Sequence, residues 1–222
     1  MATNGNKIEV IYDIETKNFF DDNLRNPEDL GISIVSAYRR ELDPDLKEVI
    51  GEMKSFWTPE ALDVVDTKEF VFDHMWEWFE EADRIIGYNS FGFDNPAMNA
   101  IYDKGDFTKL RHFDVLEEIR RSFGHRVKLD SVAKECLGMG KFANGADAVM
   151  WWGKKDLESL TNLKKYCEID VEVTKGVYDY GLKNKKLKFK DRWNELREID
   201  VDFSYPEEKP VEAPAEMQMG LF

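Results

Sequence analysis

Apolar positions along this chain recur with two spacings, every second residue and every third or fourth. The places where the spacing changes mark its elements. Val10-Ile11-Tyr12-Asp13-Ile14-Glu15-Thr16 is an apolar run that reads as a buried strand, yet it carries two acids two positions apart. Lys17 to Asp29, rich in Asn and Asp, is a loop. Leu30 to Tyr38 is a β-branched second strand, Asp43-Pro44-Asp45 a turn, and Leu46 to Ile50 a returning third strand, together an antiparallel meander. Thr58 caps a short helix opened by Pro59. Phe70 to Ala82 is amphipathic, with Phe72, Met75, Trp76 and Phe79 at helical spacing, and these aromatics belong to a core.

From there strands and helices alternate. Arg84 to Asn89 predicts a parallel strand, Pro96 to Tyr102 a helix and Leu110 to Asp114 a short strand. Val115 to Phe123 and Asp130 to Leu137 are helical, the latter capped by Asp130 or Ser131. Gly138 to Gly153 reads as irregular, with Val149 to Trp152 packed on the body. Asp156 to Tyr180 is a long helix whose buried stripe is Leu157, Leu160, Leu163, Cys167, Val171, Thr174 and Val177. Past Gly181, Lys185 to Lys190 alternates basic with apolar and Glu195 to Phe203 is extended, a hairpin. A meander followed by alternating strand and helix implies an α/β domain with a mixed sheet.

Composition sharpens that picture. A chain of 222 residues, 42% hydrophobic with six Trp and fifteen Phe, has the material for one well-filled core. It holds no apolar run long enough to span a bilayer. The first six residues lack the features of a signal peptide, and Cys136 and Cys167 suit a reducing compartment and form no metal-type pair, so a cytoplasmic monomer is expected. A net charge of −14 argues against nucleic-acid binding if taken as a sum, but local patches set the field that a ligand meets.

The acids then demand an account. Residues i and i+2 of a strand share a face, so Asp13 and Glu15 crowd one volume and repel by roughly 1–4 kcal/mol. A divalent cation would offset this; a solvated strand end is the plainer explanation. Asp94 follows a strand where the chain turns into a helix, the place where α/β sheets carry ligand sites. Tyr166 and Asp170, four apart, lie one above the other on the long helix, although Asp is a poor helix former. Taken singly, Asp94 as a helix cap and Asp170 as a solvated residue are the plainer roles.

Together, Asp13-x-Glu15, Asn89-x-x-x-Phe93-Asp94 and Tyr166-x-x-x-Asp170 resemble the three motifs of the DEDD superfamily of 3′→5′ exonucleases, which includes polymerase proofreading domains. Tyr166 points to the tyrosine branch, since the position where the histidine branch has its His is Lys165. Lys128 to Ala133 is similar to the helix start found before the third motif in these enzymes. The resemblance covers Ile8 to Tyr180 and implies a ribonuclease H-like three-layer fold, with a central mixed sheet of five or six strands flanked by helices. It also implies two Mg²⁺ (or Mn²⁺) ions, hard cations suited to carboxylate oxygens. Asp13, Glu15 and Asp170 would hold the ion that activates water, Asp13 would bridge to the second, and Asp94 would act on that one directly or through water. Tyr166 would orient the water, and Thr16, Asn89 and Phe93 would lie near the terminal nucleotide.

Two features remain. Lys183, Lys185, Lys186, Lys188, Lys190 and Arg192, with Phe189 interleaved, either hold the substrate backbone or guard an edge strand. After an exonuclease domain spanning residues 1–203, residues 204–222 form an acidic, Pro-rich tail that cannot order itself. It ends in Gln218-Met219-Gly220-Leu221-Phe222, similar to the peptide by which bacterial polymerases and repair proteins dock on the sliding clamp. Docking back on the body is the alternative use. The expected function is a metal-dependent 3′→5′ exonuclease acting on the 3′ end of DNA, single-stranded, in replication, repair or proofreading. An exoribonuclease and a non-catalytic nucleic-acid-binding module on the same fold are the alternatives.

Overall fold

A computed structural model describes residues 5–65, 71–139 and 145–205. Its centre is a five-stranded sheet in the order β3-β2-β1-β4-β5. Strand β1 (Lys7–Thr16) pairs antiparallel with β2 (Ile32–Leu42), which pairs antiparallel with β3 (Glu48–Trp57). On its other side β1 runs parallel to β4 (Arg84–Gly87), and β4 to β5 (His112–Asp114). The helices are α1 (Trp76–Glu81), α2 (Asp94–Asn99), α3 (Val115–Phe123), α4 (Leu129–Leu137), α5 (Gly145–Lys154) and α6 (Leu157–Asn184). A separate hairpin of β6 (Lys186–Lys190) and β7 (Leu196–Asp200) closes the chain.

Period-2 alternation in β1 decides what lies on each face of the sheet. Val10, Tyr12 and Ile14 enter a core with Phe56, Met75, Phe79, Met98 and Phe107 on the α1 and α2 side. There Tyr12 meets Phe79 edge-on at 5.3 Å, and its hydroxyl donates to Asn95 Oδ1, tying α2 to the central strand. The opposite set, Glu9, Ile11, Asp13 and Glu15, looks toward α6, where Ile11 packs with Val171, Val177 and residues of α3 and α4. Helix α6 runs antiparallel to β1: Tyr178 donates to Glu9 Oε1 at 2.8 Å, and Cys167 donates to the Asp13 carbonyl at 3.4 Å.

Several elements differ from the sequence expectations. The third strand runs from Glu48 to Trp57, because its first half leaves the body with Val49 and Ile50 about 60% exposed, so burial does not limit it. The amphipathic stretch divides into a 3₁₀ turn (Phe72–His74) and α1; Phe70 lies outside the described residues. Pro59 opens only a 3₁₀ turn (Pro59–Ala61), with no side-chain bond from Thr58. Helix α2 begins at Asp94, before Pro96, and ends at Asn99. Lys128, not Asp130 or Ser131, stands at the N-cap of α4, and no side chain caps it. Residues 145–154 are helical, because Gly145 and Gly153 bracket a run of helix-compatible residues rather than interrupting it. Leu157 is 62% exposed at the first position of α6, and the buried stripe starts at Leu160.

Phe189 is fully buried in the hairpin, so it is not interleaved with the lysines at the surface. The tail residues 206–222, with Gln218, Met219, Leu221 and Phe222, lie outside the described residues.

Candidate metal centre

The C-terminal half of β1 delivers Asp13 and Glu15 to the face covered by α6, and one turn of that helix presents Asp170. One carboxylate oxygen from each of Asp13, Glu15 and Asp170 lies within 4.8 Å of the others, close enough for one cation to touch all three. Asp94 stands beside this group. Pairing of β1 with β4 stops at Ile11, and beyond that point the backbone N–H of Ile14 lies near enough to the Asp94 carboxyl to favour its charged form. Asp94 is thereby placed beside the strand that supplies Asp13 and Glu15. Asp94 is 6% exposed and outside the tight group of three, yet its charge is felt by both Asp13 and Glu15.

Electrostatics follows from that crowding. Burial, and then the neighbouring carboxylates, push the acids of Asp13 and Glu15 well above the ordinary range. Burial raises Asp94 to about 7, against the lowering effect of its own N–H and that of Ile14. Asp170 is raised to about 6, chiefly by burial, with Asp130 of α4 adding to it and the nearby Tyr166 hydroxyl opposing it. Tyr166 sits one helical turn before Asp170, and burial with the nearby carboxylates pushes its pKa far up, so the phenol keeps its proton. Among the described residues, no Lys or Arg offsets the charge of Asp13, Glu15, Asp94 or Asp170. Such a site must hold protons or a cation, and an all-oxygen donor set fits a hard divalent ion such as Mg²⁺ or Mn²⁺.

The other sequence-derived candidates lie around this cluster. Thr16 is buried, and its hydroxyl donates to the Asn18 carbonyl at 3.0 Å, so it serves its own loop. Asn89 follows β4 in the left-handed region, φ 65°, with its side-chain oxygen accepting from Arg126. Phe93 packs on the α1 and α2 core and meets Phe20 edge-on at 6.0 Å.

Three residues matter here that sequence reasoning missed. Asp114 takes N–H groups from Asn89 (2.8 Å) and Phe91 (3.0 Å) while capping α3 through Leu116 and Glu117, which fixes the loop leading to Asp94. Its place as the last residue before a helix was a legible cap signal, but nothing local announces the loop. Asp130 acts on Asp170 rather than capping α4. Trp151 of α5 stands 6.2 Å from the Tyr166 ring, a contact hidden while that segment read as irregular.

A family model described as the RNase_H superfamily matches residues 10–181, from β1 to the last turns of α6. No curated protein matches the chain. The matched span takes in β1 from Val10 on, the other four strands of the mixed sheet, the Asp13, Glu15 and Asp170 cluster and Asp94 beside it. The chain belongs to the RNase_H superfamily.

Proposed function

We propose that this protein is a divalent-metal-dependent 3′→5′ exonuclease of the DEDD tyrosine branch. Superfamily membership supports nuclease chemistry in general. The observation that carries the finer reading is the convergence of Asp13, Glu15 and Asp170, with Asp94 alongside, on a volume that no described cation neutralises, under a protonated Tyr166. Asp13, Glu15 and Asp170 would hold one divalent ion, and Asp94 would serve a second that Asp13 shares. Bound there, such ions supply neutralisation of the phosphate charge, acidification of a water and stabilisation of the departing 3′-oxygen. Tyr166 contributes position rather than proton abstraction. Its hydroxyl lies beside Asp170 and keeps its hydrogen at any working pH, so it can orient a water by donating or accepting one bond. Asn89 and Phe93, at the end of β4 and the start of α2, are assigned to the terminal nucleotide.

DNA is favoured over RNA because of Gln218-Met219-Gly220-Leu221-Phe222, the resemblance of which to a clamp-docking peptide would join the nuclease domain to replication or repair. Such a tether raises the local concentration of enzyme at clamp-loaded DNA without any new contact at the active site.

The test is direct. Single-stranded DNA and RNA, each labelled at either end, are incubated with the wild type, Asp13→Ala and Tyr166→Phe, in Mg²⁺ or EDTA. Stepwise shortening from the 3′ end of DNA, lost in EDTA and in Asp13→Ala, is expected. Cleavage that survives EDTA, or shortening from the 5′ end, overturns the proposal. Clamp affinity unchanged after deleting residues 218–222 would remove the tether alone.

A further inference from the structure

The β6–β7 hairpin was expected to offer a ladder of lysines, and the structure moves the interest to its tip. Lys186 and Lys188 are both spent on Glu198, at 2.7 and 3.3 Å, and Arg197 on Asp191 and Glu195. Arg192, by contrast, carries no ion pair among the described residues and lies 4.0 Å over the ring of Trp193, which is 62% exposed. The turn that carries them is stiff. Asp191 Oδ1 accepts from the N–H groups of Trp193 and Glu195, and Asp191 Oδ2 from Arg197. A large aromatic held outward by a preorganised turn gains nothing for the core.

The tip sits at the carboxylate end of the molecule. Cys136 of α4 is bonded to Lys188, and Ser131 near the start of α4 donates to the Lys190 carbonyl at 3.0 Å. Val132 and Ala133 of α4 pack with Val171 and Val173 of α6, the turn that carries Asp170. Trp193 is three residues beyond Lys190, at most about 10 Å of chain. Arg126 and Lys128, in the segment that leads into α4, are both exposed and without an ion pair among the described residues, and Arg126 already touches Asn89.

We propose that this tip is a distal subsite for single-stranded nucleic acid, in which Trp193 stacks on a base upstream of the 3′-terminal nucleotide. Arg192, Lys128 and Arg126 meet the phosphates between tip and site. The proposal rests on the exonuclease reading above, since it needs a 3′ end lodged at the carboxylates. Base–aromatic stacking is indifferent to sequence and needs little charge, which suits binding by a protein of net charge −14.

The test compares an oligothymidylate of about 20 nucleotides, longer than the smallest single-strand site sizes, with a small chromogenic ester, thymidine 5′-(p-nitrophenyl phosphate). The double variant Arg192→Ala/Trp193→Ala is expected to raise KM for the oligonucleotide relative to the ester by roughly ten-fold or more, with kcat for the oligonucleotide retained. Trp193→Phe, which keeps a stacking ring, should recover most of the loss. An abasic run under the tip should bind wild type and Trp193→Ala alike. Equal KM values for wild type and the double variant overturn the subsite and leave the tip as a docking knob for a protein. Should the wild type cleave nothing, the exonuclease reading falls by itself. Anisotropy of the labelled oligonucleotide in EDTA then decides the tip, with weaker binding by the double variant upholding it and equal or absent binding overturning it.

Discussion

Asp94 and Asp170 hold protons in the metal-free protein at pH values where an ordinary carboxyl is ionised, and two measurable consequences follow. Both pKa values are raised on folding, to about 7 and about 6, so the protonated forms are favoured in the folded chain. The stability they contribute is complete below the usual carboxyl range and is lost as pH climbs through about 6 to 7. In EDTA the midpoint of thermal unfolding should therefore fall between mildly acidic and neutral buffer, and millimolar Mg²⁺ should abolish the fall. Calorimetric titrations in buffers of different ionisation enthalpy should show proton release on metal binding, with affinity rising over the same range. Asp13→Asn removes one of the crowded charges, so it should stabilise the metal-free fold by roughly 1–3 kcal/mol while abolishing the response to Mg²⁺. A fold destabilised by Asp13→Asn would mean that Asp13 is held by something other than its neighbours. The acids were legible because their spacings, two in a strand and four in a helix, are local. Asp114 was not, because it accepts from residues 23 and 25 positions earlier in the chain. Asp114→Ala should cost about 2–4 kcal/mol in urea unfolding. Through misplacement of the Asn89–Asp94 loop it should also lower kcat/KM roughly 10² fold.

Elements were read well where one period ran unbroken and poorly where glycines stood at their ends. Helix α3 was expected at Val115 to Phe123 and lies there, since its apolar face, its Asp cap and the left-handed Gly124 agree. Helix α5 was missed because Gly145 and Gly153 signal a loop to any local reading, although Ala148 and Trp152 are buried against α6. Gly181 of α6 shows the reverse case, a glycine needed inside an element. A Cβ added there would come 2.2 Å from the Phe203 ring, which stacks on Tyr178 at 5.5 Å and fixes the strand end of the hairpin module. Gly181→Ala should consequently destabilise the protein by about 1–3 kcal/mol. The loss should fall on residues 201–205, seen as faster amide exchange there while β1 and β4 keep their protection. Uniform loss of protection would instead mean that the hairpin and the main sheet unfold as one unit.

At the scale of the whole molecule, the end of the sheet opposite the carboxylates is closed by a buried charge network. Glu9 is fully buried, paired with Arg40 at 2.7 Å and accepting from the hydroxyls of Tyr178 and Tyr205. Arg84 in turn donates to Tyr178 and to the carbonyls of Phe203 and Ser204. None of this was legible, because a Glu and an Arg in strands read as solvent-facing until the chain shows what covers them. Arg40→Leu should cost about 3–5 kcal/mol by stranding Glu9, and adding Glu9→Gln should recover part of it; additive losses in chemical denaturation would mean that the pair is not coupled. Glu9 lies four residues before Asp13 on β1, about 13 Å along the strand. Tyr205 is therefore pinned at the end of the sheet away from the carboxylates. A bead or a surface coupled at position 205 would therefore hold the body from the side away from the carboxylates, with the carboxylate mouth turned outward. A partner that gripped the body there would take hold of a handle and leave the carboxylate edge open.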